Sequence, residues 1–211
     1  MRLTIFGATG KTGSCLVTQA VMAGHEVTAV VRDPKKLNLP PHEHLRVVTA
    51  DVMDPADIVS TVDEADVVVS ALGPPSKGPT TVLQDSTRSI IEAMEKSGTR
   101  RLVTTVSGSM VDDSGDGAFM HYLAKPMTRR MLKNVCSDMR RAEGEIHSSN
   151  LDWTIFRPPR LTDKPGTGRY RMAIDRNVKR GFTITRADLA EAVLELLNDP
   201  ATVRKHVFVA H

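Results

Sequence analysis

Short apolar runs alternate with amphipathic stretches along most of this chain. The runs are continuously apolar instead of alternating with polar residues, which is typical of strands that are covered on both faces of a sheet. They occupy residues 3–6, 27–31, 45–48, 66–72, 102–106, 153–156 and 206–209. Apolar residues at helical spacing fall between them, at 11–23, 55–62, 80–97, 137–149 and 187–197. Strands that alternate with helices predict right-handed βαβ units and a parallel sheet.

This order of elements predicts an α/β fold. We expect a single Rossmann-type domain over residues 1–211, with a doubly wound, mainly parallel sheet and helices on both faces. Two stretches, 108–136 and 158–168, interrupt the rhythm and are predicted to be loops. Met120, Met127, Met131 and Met139 lie in or just after the first of them. These methionines either fill the core or line a pliable ligand pocket.

Composition and charge exclude some classes of partner. The chain has 211 residues, a net charge of +3 and only 4% aromatic residues. Because the small charge excess is spread along the chain and stacking platforms are scarce, we expect no nucleic-acid partner. No apolar run approaches the roughly 20 residues of a membrane helix, so we also expect no membrane partner.

The cysteines and histidines point to an intracellular protein without a metal. Cys15 and Cys136 stand outside any Cys-x-x-Cys pair, which favours a reducing, cytoplasmic compartment. His42, Glu43 and His44 could suggest a metal, but they lie in a proline-flanked turn with no further ligand cluster. We therefore predict a surface loop there and no metal site. We expect a monomer or a weak homodimer.

The sharpest motif is the glycine-rich segment Gly7-Ala8-Thr9-Gly10-Lys11-Thr12-Gly13, between the first strand and the first helix. In this position a glycine permits the tight exit from the strand, a second lets backbone N–H groups approach a pyrophosphate, and a third lets the helix pack close to the sheet. The helix N-terminus adds partial positive charge for the phosphates. The alternative is a glycine-rich turn without a ligand. The context favours a dinucleotide site that uses Gly7, Thr9, Gly10, Lys11, Thr12 and Gly13.

The end of the second strand indicates which dinucleotide binds. NAD-selective proteins carry Asp or Glu there to accept from the ribose 2′-hydroxyl, and this chain carries Arg32. A guanidinium pairs with a 2′-phosphate and accepts no proton from a hydroxyl. Lys11, and Lys35 or Lys36, could add positive charge. The alternative is a solvated surface arginine, and we predict NADP(H) over NAD(H).

Two further positions follow strands where a doubly wound sheet meets its cofactor. Asp51 and Val52 follow the third strand, and the carboxylate could accept from an adenine amino group or cap a helix. Leu72 and Gly73 follow the fourth strand, where a glycine allows a cofactor to lie against the backbone. We count all four among the predicted cofactor-binding residues.

With these residues in view, the chain resembles the atypical short-chain dehydrogenase/reductase superfamily, in particular the biliverdin-IXβ reductase/flavin reductase group and its NmrA-like relatives. The resemblance covers essentially the whole length. It rests on residues 5–13, Val30-Val31-Arg32-Asp33, Asp51-Val52, Ala71-Leu72-Gly73, Val106-Ser107 and Trp153-Thr154-Ile155-Phe156-Arg157-Pro158-Pro159. It implies a single Rossmann-type domain that binds NADPH and transfers hydride to a planar conjugated acceptor, such as a flavin, a quinone or a tetrapyrrole.

The resemblance also implies an active site after the fifth and sixth strands. Ser107 matches the family's active-site serine and would bond the nicotinamide carboxamide or the acceptor; the alternative is a serine in a strand-end turn. Pro158 and Pro159 match the family's double proline at the cofactor. The flavin reductases carry a histidine next, and this chain has Arg160. An arginine donates no proton near neutral pH, so we expect it to pair with a phosphate or carboxylate of the acceptor or to stabilise a reduced ring, unless it is a surface residue.

One active-site pattern of related enzymes is missing. Classical short-chain dehydrogenases place a lysine four residues after a tyrosine on one helix face. Here Tyr122 is followed by Pro126 at that spacing, and Lys125 lies one residue short. An alcohol or ketone dehydrogenase is therefore disfavoured.

Two functions follow from the resemblance. The first is an NADPH-dependent oxidoreductase that acts on a small-molecule acceptor, with Ser107 and Arg160 as its catalytic residues. The second is an NmrA-like redox sensor that binds NADP(H) with little or no catalysis. The missing Tyr–Lys pair and the replaced histidine fit the sensor, whereas the short chain has no added partner-binding region. We favour the reductase.

Overall fold

The fold is built on an eight-stranded sheet with the strand order β3-β2-β1-β4-β5-β6-β10-β8. The computed structural model describes residues 1–74, 78–108 and 133–211. All neighbouring strands pair in parallel except β8, which runs antiparallel to β10. The strands are β1 (Arg2–Phe6), β2 (Glu26–Val31), β3 (Leu45–Thr49), β4 (Val67–Ser70), β5 (Arg101–Thr105), β6 (Asp152–Arg157), β7 (Arg160–Thr162), β8 (Arg171–Ile174), β9 (Thr183–Thr185) and β10 (Lys205–Ala210).

Five described helices cover the two faces of this sheet. They are α1 (Lys11–Met22), α2 (Pro55–Asp63), α3 (Val82–Ser97), α4 (Lys133–Ser148) and α5 (Arg186–Glu195). Helices α1 and α5 pack on one face in a core that includes Leu16, Val17 and Leu189. Helices α2, α3 and α4 cover the other face, where Ile58, Ile90 and Ile146 are buried. The doubly wound α/β arrangement predicted from the sequence is therefore confirmed.

The strand order reverses between β1 and β4, because the chain winds from β1 out to β2 and β3 and then crosses back to β4. In open α/β sheets, ligands bind at such a switch point, beyond the carboxyl ends of the strands. The loops that follow β1 and β4 meet there. A nucleotide site is therefore expected at this edge of the sheet.

The second predicted loop was wrong in part. Within 158–168, Arg160–Thr162 form β7, which pairs in parallel with β9 in a separate two-stranded sheet. Strand β8 was also missed. Each of these strands has only three or four residues, too few to show a period, and their pairing partners are distant in sequence.

The first predicted loop was also wrong at its end, because α4 begins at Lys133. Met139 lies in this helix and packs against the core of the α2–α3 face, so here the core interpretation holds. Met120, Met127 and Met131, together with Tyr122, Lys125 and Pro126, lie outside the described residues. None of the helices that the structure describes has both the length and the apolar composition needed to span a bilayer.

Candidate functional site

The glycine-rich segment is folded tightly against the end of β4. Gly7 has a left-handed backbone with φ of +80°, and a Cβ on it would lie 2.7 Å from the carbonyl carbon of Ala71. A Cβ on Gly13 would lie 2.1 Å from the Gly7 carbonyl oxygen, so α1 packs backbone to backbone against this turn. Both positions therefore require glycine, because any other residue would overlap backbone atoms.

The N-terminus of α1 opens at the switch point. Gly10 occupies its N-cap position, donates to the Gly7 carbonyl at 2.9 Å and offers no side chain to cap the helix. Thr9, Gly10 and Lys11 are exposed, and Thr12 is half-buried. The first N–H groups of a helix have no acceptor within the helix and carry partial positive charge. The residues present thus fit the pyrophosphate of a dinucleotide, as the sequence predicted.

The ammonium of Lys11 lies 2.6 Å from a carboxylate oxygen of Asp163, just beyond β7. Asp163 also pairs with Arg186 at the start of α5. The hydrogen bond from Lys11, followed by the charge of Arg186, holds the pKa of Asp163 below its usual range although burial opposes this. Lys11 thus pairs with a carboxylate and joins the glycine loop to the β7 strand. Its role as added charge for a 2′-phosphate stays a prediction.

Arg32 follows β2 directly and lies at the same edge of the sheet as Gly7. Its side chain is exposed, and it has no ion-pair partner in the described segments of the chain. The next residue, Asp33, is occupied in capping the short 3₁₀ turn Pro34–Lys36 by accepting from the backbone N–H of Lys35. An unpaired guanidinium beside the glycine loop is the arrangement that recognition of a 2′-phosphate needs.

Asp51 shapes a turn and does not cap a helix. Its carboxylate accepts from the backbone N–H of Met53 at 3.0 Å, and the N-cap of α2 is Asp54. The helix-capping alternative is therefore wrong, and the exposed carboxylate retains acceptor capacity toward an amino group. Val52 is 9% exposed and packs in the core. Its side chain thus serves the fold, which leaves its backbone for a cofactor.

Leu72 and Gly73 extend from β4 at the switch point. The Ala71 N–H donates to the Phe6 carbonyl at 3.0 Å, which carries the β1–β4 pairing beyond the strand ends. Leu72 packs against the core, whereas a Cβ on Gly73 would enter open space. Gly73 is therefore not required by packing against the described atoms. An open backbone here fits a cofactor that lies against it.

Ser107 and the double proline lie side by side at the ends of β5 and β6. The N–H of Val106 donates to Phe156 and that of Gly108 donates to Pro158, at 2.9 and 2.8 Å. Ser107 lies between these two donors and is half-buried, Pro158 is buried and Pro159 is half-buried. The structure thus brings together the residues that the resemblance placed at the nicotinamide end.

Arg160 is exposed on β7 and lines a cavity of about 720 Å³. The cavity lies beyond the end of β6, and its other lining residues are Thr162, Lys164, Pro165, Gly166, Thr167, Thr183, Thr185 and His211. Arg160 is therefore placed in the wall of a pocket. This is compatible with the predicted contact to an acceptor.

Sequence reasoning missed a charged cluster beneath this edge. Arg157, 2% exposed at the end of β6, forms an ion pair with Glu143 of α4 and donates to His206 at 3.3 Å. Burial lowers the pKa of Arg157 to about 10. Burial, followed by the charge of Arg157, lowers the pKa of His206 to about 4. The signal in the sequence was an arginine that directly follows the apolar pair Ile155-Phe156 at the end of a strand.

Glu143, His147 and His206 bring possible metal-ligand atoms within 4.8 Å of one another, whereas the sequence predicted no metal site. The guanidinium of Arg157 already occupies this cluster and compensates the carboxylate. We therefore interpret the cluster as a buried ion pair flanked by two imidazoles whose pKa values are lowered by burial. The turn at 42–44, where the sequence showed its local group of ligand types, pairs His44 with Glu26 at 2.6 Å.

The buried ion pair makes a stability prediction. Glu143→Gln leaves the Arg157 guanidinium buried without its carboxylate, so we expect the free energy of unfolding to fall by about 3 kcal/mol. Glu145→Gln on the same helix is the matched control. It removes an ion pair with the exposed Arg88, so we expect a much smaller loss of stability. Urea unfolding of both variants measures the difference, and equal losses would contradict the assignment.

Comparison with known proteins decides the family. Residues 7–200 match the model of a family described as NAD(P)H-binding, starting at the first glycine of the loop. The chain belongs to this family. The cofactor class of the chain is therefore NAD(P)H. The family assignment does not identify the acceptor.

The similarity to individual proteins extends over nearly the whole chain. UPF0659 protein YMR090W of Saccharomyces cerevisiae is 28% identical over 98% of this chain and 92% of that protein. Eugenol synthase 1 of Petunia hybrida is 25% identical over 99% of this chain and 68% of that protein. A short-chain dehydrogenase/reductase of Veillonella parvula, solved in complex with NADP, has a TM-score of 0.83, at 20% identity, and the match covers 100% of this chain and 94% of that chain. The last comparison shows a shared fold.

Proposed function

We propose that the protein is an NADPH-dependent reductase that transfers hydride to a planar conjugated acceptor such as a flavin or a quinone. The observation that carries this proposal is the combination at the switch point. The N-terminus of α1 has no side-chain cap and packs as closely as two obligatory glycines allow. Arg32, without an ion-pair partner among the described residues, lies at the same edge. Pyrophosphate and 2′-phosphate each have a matching group there.

Each residue has a role that follows from its position in the site. The N–H groups at the start of α1 bind the pyrophosphate, and Arg32 pairs with the 2′-phosphate. Asp51 accepts from the adenine amino group, while Gly73 lets the nucleotide lie against the backbone. Ser107, beside the double proline, hydrogen-bonds the carboxamide or the acceptor. NADPH supplies the hydride, and the chain contributes mainly positioning, because hydride transfer requires the donor and acceptor carbons at near-attack distance.

The test is an acceptor panel. Flavins, quinones and biliverdin are supplied in turn with NADPH and with NADH, and oxidation of the nucleotide is followed by its absorbance. We expect turnover with at least one flavin or quinone and a preference for NADPH. Tight NADPH binding without turnover on any of these acceptors would contradict a reductase and would favour a redox sensor, whose partner binding depends on the NADPH/NADP ratio.

A further inference from the structure

The pocket beside Arg160 has a polar wall built by strand alternation. We call it the β7–β9 cavity, because Arg160 and Thr162 of β7 and Thr183 and Thr185 of β9 face it. The residues between them turn to the other side, where Ile184 is fully buried and Leu161 packs against the core. The small sheet therefore presents its polar face to the cavity, and its volume of about 720 Å³ suits a small-molecule ligand.

The β7–β9 cavity is lined by two cationic side chains, and no aspartate or glutamate is among its described lining residues. Arg160 and Lys164 have no carboxylate partner in the part of the chain that the structure describes. Asp163, which lies between the lining residues Thr162 and Lys164, is engaged by Lys11 and Arg186. An entering ligand therefore meets two uncompensated cations, which attract an anion.

The wall itself is held by one buried carboxylate. Asp188 is completely buried and accepts from the backbone N–H groups of Thr167 and Gly168 at 2.7 and 2.8 Å, and from the hydroxyl of Thr185 at 2.7 Å. Its Oδ2 lies 2.6 Å from Nε2 of His211. Burial raises the pKa of Asp188, but these hydrogen bonds together outweigh it and lower the pKa to about 2. The carboxylate stays ionised at neutral pH and fixes the loop and the imidazole.

The position of the cavity connects it with the proposed acceptor. Arg160 directly follows Pro159, and the preceding Pro158 accepts from Gly108, the neighbour of Ser107. An acceptor that stacks at Ser107 and the double proline therefore has its outer part within reach of the β7–β9 cavity. An acceptor with a ring system at one end and an anionic group at the other would occupy both the site at Ser107 and the β7–β9 cavity.

We propose that the β7–β9 cavity binds a phosphomonoester group of the acceptor, with Arg160 and Lys164 as its cationic ligands. The inference rests on the proposed reductase function and names its substrate class: a conjugated ring that carries a phosphate, as flavin mononucleotide does. The guanidinium pairs bidentately with two phosphate oxygens, and the ammonium neutralises the remaining charge. Thr183 lines the same wall, and its hydroxyl is a further donor for the third oxygen.

Riboflavin and flavin mononucleotide share one ring and differ by one phosphate, so they separate this subsite from the rest of the site. Binding is measured without NADPH, by quenching of flavin fluorescence. We expect the wild-type protein to bind flavin mononucleotide at least tenfold more tightly than riboflavin. Arg160→Gln and Lys164→Gln should each weaken flavin mononucleotide about tenfold and change the affinity for riboflavin less than twofold. Inorganic phosphate should compete with the binding of flavin mononucleotide but not with the binding of riboflavin.

The matched controls are the single variants Arg169→Gln and Lys179→Gln. Each removes one positive charge from an exposed position outside the cavity and should leave both affinities unchanged. Equal affinities of the wild-type protein for the two flavins, equal losses for both in the cavity variants, or no flavin binding would each overturn the subsite. Riboflavin turnover without a phosphate preference would overturn only the subsite. Charge-dependent binding of flavin mononucleotide without NADPH oxidation would overturn only the reductase.

Discussion

Gly13→Ala is expected to destabilise the protein by about 3 kcal/mol or more and to abolish measurable NADPH binding. The new Cβ would lie 2.1 Å from the Gly7 carbonyl oxygen and 3.0 Å from the Ala8 Cα, both of them backbone atoms. Gly7 cannot retreat, because it is already in tight contact with the backbone of Ala71. Overpacking that side chains cannot relieve costs at least the upper end of the usual 1–3 kcal/mol. Urea unfolding and a fluorescence titration with NADPH measure the two effects.

The chain supplies a control with the same chemical change. Gly144 is exposed within α4, and a Cβ on it would meet no atom within 4 Å. Gly144→Ala should therefore stabilise the protein by about 0.5–1 kcal/mol, because alanine loses less backbone entropy in a helix. NADPH binding should not change. If both alanine variants behave alike, the backbone contact between α1 and the loop does not exist as described.

Arg32→Asp is expected to lower the affinity for NADPH about 100-fold or more, while NADH affinity changes no more than a few-fold. The substitution removes a guanidinium that no described carboxylate shares, and it places a negative charge opposite the 2′-phosphate. Two charge-assisted hydrogen bonds are worth roughly 1.5 kcal/mol or more each, which already gives this factor. For NADH, the aspartate can accept from the 2′-hydroxyl. Titrations of the wild-type protein and of Arg32→Asp with NADPH and with NADH measure the ratio of the two affinities.

A charge reversal elsewhere tests whether the effect is local. Arg169→Asp changes the net charge by the same amount on an exposed loop away from β2 and should affect both nucleotides equally and slightly. Comparable losses of NADPH and NADH in Arg32→Asp would overturn the assignment of NADP(H).

Features encoded by neighbouring residues were predictable from the sequence. The central strands, which are four or more residues long, and the glycine-rich segment needed only local pattern, since a glycine-rich turn between a strand and a helix has few alternative structures. Strands β7 and β9 were not predictable, because Arg160 and Thr183 pair across a long stretch of chain and each strand has three residues. Asp51 showed a third situation: the chemistry of the residue was evident, but its turn became visible only with the positions of Met53 and Asp54.

The candidate site divides in the same way. Gly7, Arg32 and Ser107 could be placed at one edge of the sheet from the sequence, because each follows a strand whose end could be located. The pair of Glu143 with Arg157 and the pair of Asp188 with His211 were missed, because a sequence does not show which helix faces which strand. Tertiary packing determines these partners. A charged residue can be recognised as buried only when the fold is known.

The contact of Gly7 with Ala71 has a consequence for synthesis of the chain. The turn after β1 packs against the backbone that follows β4. These two segments can meet only after β2, β3 and α2, which lie between them in the sequence, have been synthesised. Closing so long a loop costs entropy that later contacts have to repay. A nascent chain that has left the ribosome as far as Ala65 carries the complete glycine motif and no nucleotide pocket.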